Sequence, residues 1–143
     1  MARMNISEGF QIEQPELLIP WKLPEADLQK IFCGQSLRHV THGYFTTHCI
    51  SLGGLSHELG FHFHPRGGGV LVELEFFRTS YADQAGSYQE FQQHLEQTFG
   101  QPSTSKPGSE GFPSHTWQLA GAEVVHFVHD RFGPEEHVRI VKR

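Results

Sequence analysis

Eleven histidines among 143 residues are the unusual chemical feature of this chain. Two of them, His62 and His64, stand two positions apart in Leu59 to His64, where apolar and polar residues alternate. A strand with that pattern sends both rings out of one face. His126 lies in a second alternating stretch, three residues before His129. If the two stretches pair, His62, His64 and His126 converge on one surface. Three neutral imidazoles with an open fourth position make a zinc set, and Glu73, Glu75 or Asp130 can add a carboxylate. No His-Glu-x-x-His and no paired-cysteine motif supports a metal. The expectation is therefore no cofactor, with zinc on these histidines as the alternative.

Other reactive residue types point to less. Cys49 follows His48 directly, and strand neighbours face opposite sides, so that imidazole does not activate that thiol. Ser51, Ser56 and Ser80 lack the Gly-x-Ser-x-Gly elbow. Glu73 and Glu75 share a strand face and are close enough to share a proton, but a solvated face is the simpler reading. Gly67-Gly68-Gly69 lacks the Lys-Ser/Thr of a phosphate loop and reads as a turn. Arg66 and Arg131 read as turn anchors that pair with Glu58 or Asp130.

The formal charge is −5 with histidine neutral, and the eleven lysines and arginines are scattered apart from Lys142-Arg143. A nucleic-acid binder carries a basic surplus or stripe, so nucleic acid is not an expected partner. Protonating the histidines reverses the sign of the charge below neutral pH. No apolar run approaches the ~20 residues of a membrane helix, so no membrane is expected either. Met1 to Phe10 has no basic start followed by an apolar stretch, which predicts a cytoplasmic protein without a secretory leader. Cys33 and Cys49 are too few for a disulfide framework and read as small reduced filler.

Two helices must carry the core. Pro24 suits a first helical turn, with Glu25 and Asp27 near the positive end of the dipole. Leu28, Ile31 and Phe32 share a face, and Gly34 suits the stop. Ser87 with Glu90 has the spacing of a capping box. Tyr88, Phe91, Leu95 and Phe99 then form an apolar stripe ended by Gly100 and Pro102. Strands are predicted over 44–51, 59–64, 70–77, 115–119, 123–129 and 137–142, with 101–114 a loop and 131–136 a turn. Val72, Leu74 and Phe76 are expected to point inward, as are Trp117, Leu119, Val138 and Ile140. Phe10 to Ile12 reads as a short strand, residues 1–9 as a fraying end, and 17–21 as a lead-in that packs Leu18 and Trp21.

The two halves echo one another. Leu28-Gln29-Lys30-Ile31-Phe32 before Cys33-Gly34-Gln35 matches Leu95-Glu96-Gln97-Thr98-Phe99 before Gly100-Gln101-Pro102. His62-Phe63-His64-Pro65-Arg66-Gly67 is echoed by 126–133 at a similar offset. An internal repeat of this kind predicts one domain, 1–143, built from two units at about 20–78 and 86–143. Each unit is a helix followed by three antiparallel strands. Neither buries enough alone, so an α+β fold is expected, with both helices on one side of shared antiparallel sheet.

With Phe99-Gly100-Gln101-Pro102 as a helix stop and Trp117 on a following strand, this layout resembles the tandem-repeat beta-lactamase inhibitor proteins and the small bacterial immunity proteins that neutralise toxins. The resemblance spans roughly residues 20–143 and implies a non-catalytic protein-binding role, with another protein as partner. No functional residue carries over from it. A metal-dependent enzyme using the strand histidines is the alternative, and the protein is expected as a monomer or a homodimer.

Overall fold

A computed structural model describes residues 4–33, 36–65, 68–78 and 83–143. Phe10-Gln11-Ile12 lies in β1 (Gly9–Ile12), which pairs with β2 (Leu17–Pro20) as a separate two-stranded sheet. Then come α1 (Glu25–Ile31), β3 (Arg38–Thr41), β4 (Tyr44–Ser51), β5 (Leu55–Phe63) and β6 (Leu71–Phe77). After these come α2 (Gln84–Phe99), β7 (Thr104–Lys106), β8 (Ser114–Leu119), β9 (Ala122–Asp130) and β10 (Pro134–Lys142). Strands β3 to β10 form one eight-stranded sheet in the order β3-β4-β5-β6-β10-β9-β8-β7, and its ladders are antiparallel. The fold is α+β, as expected.

Each helix is followed by four strands rather than three. The extra ones, β3 and β7, are short, fully exposed edge strands. β7 falls inside the stretch expected to be a loop, which also holds a 3-10 turn at Ser109–Gly111. The two runs of four strands meet where β6 pairs with β10, Phe76 opposite Val138 and Leu74 opposite Ile140.

Register fixes which side chains share a face, because side chains alternate along every strand. Leu59 lies opposite Phe76, Phe76 opposite Val138, and Val138 opposite His126. Phe61, Leu74, Ile140 and Val124 form the next row of the same face, and all eight of these residues are buried. Phe32, at the end of α1, meets Phe61 edge-on at 5.6 Å between centroids. From α2, Phe91 approaches His57 and His126. From β1, Phe10 meets Phe76 at 5.2 Å. Both helices and the β1–β2 hairpin thus cover one face, and water-excluding aromatic contacts hold them there.

Several local expectations need correction. The α2 cap is Asp83, whose side chain accepts from the Gly86 N–H. Ser87 is buried a turn inside the helix, so the Ser87–Glu90 spacing is not a capping box here. Leu71 rather than Val72 faces the core, because a register shift between His62 and Phe63 sets Leu71 opposite Phe63. Leu18 is 51% exposed while its neighbour Ile19 is buried. Ile6, in the stretch expected to fray, is in the core, and its carbonyl accepts from Trp21 Nε1 at 2.7 Å. β10 begins at Pro134, inside the stretch expected to be a turn. Gly34, Arg66 and Gly67, and residues 1–3 and 79–82, lie outside the described residues, so the Gly34 helix stop and the Arg66 turn anchor do too.

Candidate functional site

The three candidate ligands do not meet. His126 lies on the covered face, opposite Val138 and wholly buried. His62 alternates with Phe61 and so leaves the other face, opposite Glu73. The sheet stands between them, and the expectation that His62, His64 and His126 converge fails. The alternation holds within each strand; only the register between strands decides the face. Among the described residues no three His, Cys, Asp or Glu side chains gather to hold a metal ion.

His62 and His64 instead belong to a cluster on the open face. Their rings stack nearly parallel at 5.6 Å, and Tyr44 stacks on His62 at 4.5 Å. His62 Nε2 is 2.9 Å from Glu75 Oε1, and His64 Nε2 is 3.5 Å from Glu73 Oε1. Arg139, on β10, reaches across to Glu73 at 2.8 Å and Glu75 at 3.8 Å. The His62 hydrogen bond holds the Glu75 carboxyl below its ordinary range, with Arg139 adding to it. Burial pushes the Tyr44 phenol up to about 12, and the Glu75 charge pushes the same way. Gly60 makes room for this packing, because a Cβ there would lie 2.8 Å from the Tyr44 hydroxyl. Farther along the face, Phe127 stacks on His137 at 4.9 Å. His137 Nδ1 is buried without a hydrogen-bond partner among the described residues.

Two further clusters sit on the covered side. His57 is 2% exposed, its Nδ1 2.9 Å from the Glu58 carbonyl and its Nε2 hydrogen-bonded to Ser51 Oγ. Cys49 Sγ lies 4.0 Å from the same Nε2. Burial drives His57 down to about 4 and the Cys49 thiol up to about 12. Both groups are therefore neutral near pH 7 and sealed from substrate, so this serine–histidine–cysteine grouping does not make a nucleophile. His48, beside Cys49 in sequence, does face away from it and pairs with Glu58.

The second cluster is a closed polar network that sequence reasoning missed. His126 Nε2 lies 2.6 Å from Glu136 Oε2, and its Nδ1 lies 2.8 Å from Gln92 Oε1. Ser87 Oγ donates to Glu136 Oε1 at 2.7 Å and accepts from Arg78 Nε at 3.0 Å. Tyr88 stacks on His126 at 4.4 Å and its hydroxyl donates to the Pro113 carbonyl. Polar side chains at 84, 87 and 92 along α2 were the available signal, since a helix face that mixes Ser and Gln with Phe must satisfy them inside.

Cys33 is exposed, Cys49 buried, and both are free thiols. Among the described residues no helix is long and apolar enough to cross a membrane. No protein-family model matches the sequence, and no curated protein matches it. Among solved structures, a DUF4309 family protein (YjgB) from Bacillus subtilis aligns over 84% of this chain and 78% of its own, at 13% identity and a TM-score of 0.44.

Proposed function

We propose that this protein is a non-catalytic protein-binding module, of the inhibitor or toxin-immunity kind, that works in the cytoplasm and docks another protein through the open sheet face. One observation carries the reading: the helices and the hairpin all lie on one face, and the other presents Tyr44, Phe127 and paired polar side chains on the sheet. Half-buried aromatic rings set by neighbours lose little side-chain freedom on binding, and they are the residues that dominate interfaces. The Arg139–Glu73 ion pair and the contacts of His62 with Glu75 and His64 with Glu73 add a fixed polar pattern for a complementary partner. The two units, about 20–78 and 86–143, are read as copies that jointly build this face.

The test is affinity capture from the native cell with the wild-type protein and with a Tyr44→Ser, Phe127→Ser variant. A stoichiometric partner retained by the wild type and released by the variant is expected, each anchor being worth about 2 kcal/mol. Capture of nothing, or of the same protein by both forms, overturns the reading.

A further inference from the structure

At the β3 end of the open face, a shallow notch between the start of β3 and the middle of β4 and β5 offers about 290 Å³. That is near the lower end for small-molecule sites. Arg38, Thr46, His48 and Glu58 line it. Arg78, Arg139 and Arg143 each have a carboxylate partner, whereas Arg38 has none among the described residues. Thr46 is buried against the notch, and its hydroxyl has no hydrogen-bond partner among the described residues. Glu58 gives one carboxylate oxygen, Oε2, to His48 Nδ1, and its Oε1 has no partner among the described residues. His48 is fixed in turn, with its Nε2 3.0 Å from the Ser56 hydroxyl.

The notch is therefore lined by Arg38, Thr46 and Glu58, a guanidinium, a hydroxyl and a carboxylate whose Oε1 has no partner among the described residues. We propose that it binds a small ligand carrying a carboxylate beside an N–H or ammonium group, the chemistry of an α-amino acid or of the carboxyl end of a peptide. The ligand carboxylate sits on the Arg38 fork, whose planar donors match it, with Thr46 Oγ1 donating alongside. The ligand N–H donates to Glu58 Oε1. A phosphate dianion fits worse, because Glu58 repels a second negative charge in so small a space. This site borders the Tyr44–Arg139 cluster but shares no residue with it, and it does not depend on the protein-binding reading.

The test is an amide-shift titration of the isotope-labelled full-length protein with L-alanine, N-acetyl-L-alanine and acetate at constant ionic strength. Saturable shifts at residues 36–38, 46–48 and 58 are expected from the first two, with acetate at least about 5-fold weaker. Arg38→Gln weakens both by about 10-fold or more while the rest of the spectrum stays in place. Glu58→Gln removes the charge but keeps an acceptor, so it weakens alanine and spares N-acetylalanine. Tighter binding of alanine assigns a free amino acid as the ligand, and tighter binding of N-acetylalanine assigns a peptide end. Absence of saturable shifts up to ~50 mM, equal binding of acetate, or indifference to Arg38→Gln overturns the proposal.

Discussion

His126 and Glu136 have almost no contact with water, at 0% and 1% side-chain exposure. Their polar atoms are met instead by Gln92, Ser87 and Gln84 of α2. Burying such a pair costs desolvation that only a complete set of partners offsets, and removing one member strands the other. Glu136→Ala should therefore cost about 3–5 kcal/mol in urea unfolding, far more than loss of an exposed ion pair such as Arg143–Glu123. His57 acts through pH. Its folded value of about 4 lies below the ordinary 6.5 because burial disfavours the charged ring. The unfolded protein thus binds the proton first, and stability falls as pH drops from 6.5 toward 4, then levels. The whole effect is at most about 3 kcal/mol. In His57→Gln that part of the acid slope should vanish, which unfolding curves at pH 7, 5.5 and 4 will read.

The elements were legible in proportion to how much of their own character they carry. β4 runs over Tyr44–Ser51, the span read from its Thr, Phe and Ile content. The α2 stripe of Tyr88, Phe91, Leu95 and Phe99 is buried throughout, and Gly100, at φ 87°, ends the helix where a side chain would be strained. β3 and β7 were illegible for a physical reason. Arg38–Thr41 and Thr104–Lys106 are exposed on both faces, so burial left no alternation in their sequence, and they are strands only because β4 and β8 offer hydrogen bonds. The α2 start misleads because Ser87 and Glu90 do have capping-box spacing. The structure instead spends Ser87 on Glu136 and pairs Glu90 with Arg78. Asp83→Ala should cost about 1 kcal/mol, as loss of one cap does. It should also fray the first turn of α2, seen as faster amide exchange at Gly86 and Ser87.

At the scale of the molecule, the sequence disclosed two helices on one side of an antiparallel sheet, because periodicity reports which residues are hidden. It did not disclose the pairing of β6 with β10, since both strands alternate equally well against any partner. That pairing decided the fate of the candidate site: His126 went to the covered face with Val138, and His62 to the open one with Glu73. It also sets β10 between β6 and β9, in the middle of the sheet. Removal of residues 134–143 should leave neither half folded, and a collapsed amide spectrum of the truncated protein checks this. There is a consequence for biogenesis. The ribosome makes the central strand after the other strands of this sheet, so until then β6 and β9 each present a raw edge. Completion of this sheet must wait for that insertion, and during the wait a nascent polypeptide is most in need of a chaperone.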